Sequence, residues 1–250
     1  MSGHSKWSTI KRKKGAIDDK RGKIFTKLIR ELSSAVRQGG GDVVGNPRLR
    51  AAVEAARAQN MPKDNIERAI KKAAGADAGV VYEQVTYEGY GPGGTALLIE
   101  CLTDNKNRTV NDVRARLQKN GGKMGENGSV SWMFTHKGYI VVNHATIGED
   151  RLMELVLEEG ADDVTSSESS YEVTTPINKF HLVKEALERA KIAIADAGLT
   201  HVPQNSIALT GDIAQQMIRL IESLEDCDDV QRVSSNFDIP EDELERIQVS

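Results

Sequence analysis

The sequence predicts a multidomain α+β protein, with an N-terminal helical domain followed by two ferredoxin-like α+β domains, one inserted into the other. Three observations predict it. Apolar residues recur at helical spacing through the first 75 residues. Past the small, flexible stretch Gly75–Gly79 the pattern changes to alternation and to apolar runs of strand length. The elements that follow sort into two sets of four strands and two helices, one set interrupting the other. The implied boundaries are 1–78 for a basic arm plus helical bundle, 79–134 with 206–250 for a discontinuous domain, and 135–205 for the insertion. At 250 residues the chain has length enough for several cores.

The first helix runs from Asp18 or Asp19 to Gln38, with Ile24, Phe25, Leu28, Ile29, Leu32, Ala35 and Val36 on one face. Gly39, Gly40 and Gly41 stop it, because glycine accepts the left-handed conformation that ends a helix. Asn46 and Pro47 open a second helix, proline losing nothing in a first turn whose N–H groups have no partner. Its inward stripe is Leu49, Ala52, Val53 and Ala56. A third begins around Met61–Asp64 and ends at Gly75, with Ile66, Ala69, Ile70 and Ala73 inward.

Beyond the linker, Val81–Tyr90 alternates as a strand and Thr95–Leu102 reads as a buried strand, together a hairpin. A helix follows over Asn107–Lys119, then a glycine-rich segment and a strand over Ser129–Phe134. The inserted module reads as strand Tyr139–Val142, helix Asp150–Glu159, a strand within Asp162–Ser170, strand Tyr171–Thr174, helix Lys179–Ala197 and strand Ser206–Leu209. A helix over Ile213–Leu224 and a strand over Val230–Phe237 have no sheet of their own, and joining them to residues 80–134 completes the outer domain.

The formal net charge of −4 conceals a division. Residues 1–75 hold 18 Lys and Arg against 7 Asp and Glu, and residues 76–250 hold 15 against 30. A basic end on an acidic body points to a polyanionic partner for that end. The candidate nucleic-acid contacts are Lys6, Trp7, Lys11, Arg12, Lys13 and Lys14 in the arm, where cations release counterions from phosphate and an aromatic stacks on a base. On the first helix they are Lys20, Arg21, Lys23, Lys27, Arg30 and Arg37, most of which form a stripe apart from the apolar face. Arg48 and Arg50 extend the set onto the second helix. The partner class is nucleic acid, DNA or ribosomal or transfer RNA, with the ribosome as an extension of the latter; the oligomeric state is left open.

Patterns for catalysis, cofactors and metals are missing from the sequence. Gly89, Gly91 and Gly94 satisfy G-x-G-x-x-G, but they precede an apolar strand rather than a helix, so nothing is set to receive a pyrophosphate. Tyr87, Tyr90, Gly91, Pro92, Gly93 and Gly94 form either a structural turn or a loop that contacts RNA or a partner. The five histidines lack paired metal spacing, and Cys101 and Cys227 fit neither a zinc ribbon nor a disulfide framework. The expectation is a non-enzyme without cofactor or metal, in a reducing cytoplasm. Apolar runs are too short to span a bilayer, so no membrane partner is expected.

Six strings carry a resemblance along nearly the whole chain: Gly3-His4-Ser5-Lys6-Trp7, Arg21-Gly22-Lys23-Ile24-Phe25-Thr26-Lys27, Asn46-Pro47-Arg48-Leu49-Arg50, Tyr87-Glu88-Gly89-Tyr90-Gly91-Pro92-Gly93-Gly94, Asp104-Asn105-Lys106-Asn107-Arg108-Thr109 and Glu225-Asp226-Cys227-Asp228-Asp229. By these the chain resembles the YebC family of bacterial transcriptional regulatory proteins, related to mitochondrial translational activators. The resemblance implies a helical domain followed by two α+β domains, one inserted in the other, and DNA binding in transcription regulation. It also implies an alternative, a ribosome-associated translation factor that binds RNA and assists synthesis of proline-rich stretches. By its opening string the resemblance is to the bacterial members, so a bacterial cytoplasmic protein without a mitochondrial presequence is expected.

Overall fold

A computed structural model describes residues 18–75, 80–167 and 170–249. The expected basic arm, and all but the first residue of the expected linker, lie outside the described residues. Helices α1 (Asp18–Gly39), α2 (Pro47–Ala58) and α3 (Lys63–Ala74) pack around Leu32, Ala35, Val36, Leu49, Val53, Ala56 and Ile66. Asn46 joins two of them: its side-chain oxygen caps α2 by accepting from Leu49 N at 3.1 Å, while its amide donates to Ala35 O and Gly40 O at 2.8 Å. One buried side chain thereby satisfies both a helix start and the glycine-rich end of α1. Ile24 and Ile29, expected on the packed face of α1, are partly open.

Strands β1 (Glu83–Tyr90) and β2 (Ala96–Thr103) form the expected hairpin. Between them Pro92–Gly94 makes a single 3₁₀ turn in which Gly93 has φ +73°, and a Cβ there would stand 2.6 Å from Leu209 Cδ2, so only glycine fits. Helix α4 (Lys106–Lys119) follows, capped by Asn105, then β3 (Lys123–Met124) beside β1. The strand expected over Ser129–Phe134 is a correction: residues 131–133 form a 3₁₀ turn, and the strand begins only at Phe134. The backbone N–H groups of Gly128, Val130 and Ser131 are bound by the Glu88 carboxylate at 2.6–2.9 Å and are not free for a ladder.

Strand β4 (Phe134–Asn143) opens a second sheet, followed by α5 (Glu149–Glu158), β5 (Asp163–Ser166), β6 (Ser170–Thr175), α6 (Phe180–Arg189) and β7 (Ile194–Pro203). Its order, β5-β6-β4-β7 with every pair antiparallel, is that of the split βαβ fold. The helix expected over Lys179–Ala197 ends eight residues earlier, and Ile194–Ala197 belongs to β7. Lys191 makes the turn with φ +58°, where a glycine would have announced the stop. The chain enters this sheet at Phe134 and leaves at Pro203, which face each other across β4 and β7.

The strand expected at Ser206–Leu209 is therefore not the fourth strand of that sheet. It is the two-residue β8 (Ile207–Ala208), parallel to β10 (Phe237–Asp238). Helix α7 (Gly211–Glu225) and β9 (Val230–Ser235) return to the first sheet, whose order is β3-β1-β2-β9. The hairpin lies at the centre here, so the two α+β sheets differ in strand order while both stay antiparallel. Leu97, Ile99 and Cys101 of β2 point toward α4 and α7, and Ala96 and Leu98 point to the other side, against Val130 and Phe134. A last helix, α8 (Glu241–Val249), sends Leu244 into the larger core.

Candidate nucleic-acid interface

The cations of α1 part company. Lys23, Lys27 and Arg30, spaced four and three residues apart, share one face, and that face meets the chain's own acidic turn between α7 and β9. Lys23 Nζ pairs with Asp226 Oδ2 at 3.1 Å, Lys27 Nζ donates to Glu225 O at 2.5 Å, and Arg30 donates to Asp228 O at 2.9 Å and to the Asp229 carboxylate. Only 14% of the Arg30 side chain and 5% of the Asp229 side chain are open to solvent. The expected open stripe is, over this stretch, a seam that docks the helical domain on the first sheet.

Asp229 is the hub of that seam; the sequence offers it only as one member of the acidic string Glu225–Asp229 and not as a site residue. Its carboxylate also accepts from Arg108 Nη2 at 2.9 Å and from Thr109 Oγ1 at 2.7 Å, both in the first turn of α4. Burial works against its charge, but the donors Thr109, Arg108 and Arg30 outweigh it and hold the carboxyl below its usual range. The same contacts raise the Arg108 guanidinium. A signal was present: the acidic string Glu225–Asp229 is a helix-to-strand turn, and the cations it attracts are those of the chain itself.

The remaining candidates divide by exposure. Arg21 is exposed, reaching Asn60 O at 3.4 Å and lying 5.4 Å from the Phe25 ring centre. Arg37 and Arg50 are exposed, Arg50 touching Val44 O at 3.3 Å. Arg48 is half-buried and held by Glu31 and Gln38, which ties α2 to α1. Lys20 lies within α1, while Lys6, Trp7, Lys11, Arg12, Lys13 and Lys14 lie outside the described residues. Arg57, Arg68, Lys71 and Lys72 are exposed, and together with Arg37 have no carboxylate partner among the described residues. These are open cations on all three helices of the bundle.

The hairpin loop is mostly closed. Gly91 and Pro92 are buried, Tyr87 and Tyr90 lie half-buried on β1, and only Gly93 and Gly94 are exposed. Tyr87 donates to Lys106 O and Tyr90 to Ser129 O, each at 3.3 Å. Burial, Cys101 and Asp229 raise the Tyr87 phenol, so it is a donor and not a base. Burial likewise pushes the Cys101 thiol far up, away from the thiolate a nucleophile needs.

A cleft of about 900 Å³ lies where the bundle and the two sheets meet, lined by Arg48, Gln84, Glu100, His136, Lys184 and Arg232 among others. Its charge is mixed, with Lys184 3.6 Å from Glu54 and His201 Nδ1 3.4 Å from Glu100 Oε2. His136 stacks on His201 with ring centres 4.7 Å apart. Burial, the His201 charge and Arg232 depress the His136 imidazole, with Glu100 opposing them. No helix among the described residues is long and apolar enough to cross a membrane.

Comparison with known proteins matches the chain to two family models, the TACO1/YebC protein N-terminal domain over residues 5–76 and the TACO1/YebC second and third domain over residues 82–237. Among curated relatives, the Probable transcriptional regulatory protein DP2908 of Desulfotalea psychrophila is 56% identical over 248 residues, 99% of each chain. The Probable transcriptional regulatory protein GSU1074 of Geobacter sulfurreducens is 56% identical over 247 residues, 99% of this chain and 100% of that one. The crystal structure of a conserved hypothetical protein, Aq1575 of Aquifex aeolicus, superposes with a TM-score of 0.81 at 45% identity, covering 90% of this chain and 93% of that one.

Proposed function

The chain belongs to the TACO1/YebC family, and from that premise we propose that it is a non-enzymatic, DNA-binding regulator of transcription; the names of its relatives supply the regulatory role in transcription. The observation that carries the reading is the set of open cations on the bundle: Arg37, Arg57, Arg68, Lys71 and Lys72 face solvent with no carboxylate partner among the described residues. The adjoining arm, with Lys11, Arg12, Lys13 and Lys14 in succession, extends that charge. Such cations position a protein on phosphates without reading bases. Lys23, Lys27 and Arg30 contribute through the docked seam, which sets the angle between the bundle and the acidic domains. We read the units as 1–78, 79–134 with 206–250, and 135–205, acting in the cytoplasm.

The state of the buried ionisable groups supports a binding role. The Asp229 and Glu88 carboxylates are committed to internal donors, and the Cys101 thiol is held protonated. The test is competition among a labelled promoter duplex, a structured RNA and purified ribosomes at one stated salt concentration, with wild-type protein and with Lys11, Arg12, Lys13 and Lys14 replaced by alanine. The alanine variant is expected to bind all sequences more weakly, its salt slope reduced by about 0.9 per lost phosphate contact on duplex DNA. Unchanged affinity and slope overturn the arm's role. Displacement of the duplex by ribosomes, without the reverse, replaces the transcriptional reading with the translational one.

A further inference from the structure

Trp132 is the largest exposed apolar side chain of the α+β part, 66% open to solvent in the turn that leads into β4. The indole Nε1 donates to Ser129 O at 3.2 Å, which holds the ring's edge against its own turn and leaves a face free. Ser129 O also accepts from Tyr90 Oη at 3.3 Å, and Lys123 Nζ lies 5.4 Å from the centre of the Tyr90 ring. The turn is anchored from below by Glu88, whose carboxylate takes three backbone N–H groups. An indole and a phenol thus share one carbonyl on a pinned loop, and an ammonium lies over the phenol ring.

The surrounding charge departs from that of the acidic domains. From Asn105 to Lys137 seven Lys and Arg stand against two Asp and Glu. Several are used internally: Lys106 pairs with Glu83, Arg108 with Asp229, Arg116 donates to Ser223 O and Lys137 pairs with Asp162. Arg114, Lys119 and Lys123 stay exposed, with no carboxylate partner among the described residues.

We propose that Trp132, with Lys123 beside Tyr90, is a second nucleic-acid contact, a platform on which an unpaired nucleobase stacks while Lys123 meets the adjoining phosphate. It rests on the nucleic-acid reading above and adds a site on the opposite, acidic part of the chain. An exposed aromatic on a loop that also presents a cation is suited to single-stranded binding, because every base offers a π face and the backbone supplies the charge. A paired base in a duplex is covered on both faces by its neighbours and gains nothing from the indole.

The chain has two tryptophans, Trp7 and Trp132, so Trp7→Phe leaves Trp132 as the sole indole fluorophore. That protein is titrated with a short oligouridylate RNA, an oligothymidylate DNA of equal length and a duplex, with anisotropy of the labelled oligonucleotide reporting occupancy. The single strands are expected to quench the indole and the duplex to leave it unchanged; whichever single strand binds more tightly identifies the source of the base. Trp132→Leu is expected to weaken single-strand binding by roughly 5- to 100-fold, Trp132→Phe to retain most of it, and Lys123→Gln to lower the salt slope by about 0.7. Unaltered fluorescence at saturation, or wild-type affinity in Trp132→Leu, overturns the platform. If the arm variant alone loses affinity, the general reading stands without this site; if the wild-type protein binds no probe, both fall.

Discussion

Arg30 of the first helix and Asp229 of the turn before β9, 199 positions apart in the chain, are hydrogen-bonded through their charged groups in a largely dry seam. The pair couples the placement of a basic bundle to an acidic sheet. The seam contains contacts of very different worth, which makes it testable.

Asp229→Ala leaves the Arg30 guanidinium in that seam without its counter-charge and is expected to cost about 3–5 kcal/mol. Lys23→Ala removes a pair whose members are 45% and 55% exposed, and is expected to change stability by less than about 1 kcal/mol. Urea denaturation of both variants checks the contrast, and equal effects would contradict the assignment of Asp229 as the hub.

The Asp229 carboxyl, held below its ordinary range, makes stability depend on acid. Above the unfolded value, near about pH 4, the contribution is complete; it is lost as pH falls through the lower folded value. Thermal melts of Asp229→Asn are expected to show a lower melting temperature at neutral pH and a flatter decline below about pH 4 than wild type.

His136 acts at a higher pH. Its folded value is depressed by burial and by His201, so the unfolded chain takes up the proton first and stability declines as pH drops below about 6.5. His136→Gln is expected to match wild type at pH 8 and to lose less stability between about pH 6.5 and the lower folded value. A melting series across that window measures the difference.

Glu88 is expected to control the turn that carries Trp132. Burial opposes its charge, but the N–H groups of Val130, Gly128 and Ser131 hold it ionised. Glu88→Ala leaves those three donors without it and is expected to cost about 1–3 kcal/mol per donor that water does not reach. Hydrogen exchange at these amides should rise in the variant while α4 and α7 keep their protection; an unchanged rate would remove Glu88 from this role.

Most elements could be read from the chain because their signals are local. Asn46-Pro47 marks a helix start that the Asn46 cap realises, and Leu97, Ile99 and Cys101 alternate with Ala96 and Leu98 on the two faces of β2. The errors fall where the signal was non-local or atypical. The stop of α6 depends on Lys191 in a left-handed turn, a residue type that gives no warning, so the alanine-rich stretch behind it read as more helix and β7 went unseen. Ser129–Met133 has strand-like residues, yet its amides are captured by a carboxylate some forty positions away.

The candidate site shows the same division. The separation into a basic third and an acidic remainder is a property of the sequence alone, because charge counts need no coordinates. Which cations stay available is not. Lys23, Lys27 and Arg30 are indistinguishable by spacing from cations that face solvent, and only folding brings the turn at 225–229 across them. Trp132 likewise falls within the strand expected over Ser129–Phe134, and only the folded chain shows it exposed on a 3₁₀ turn. Periodicity determines which side of an element is apolar; what covers the polar side depends on contacts between distant segments, and those exist only in the folded chain.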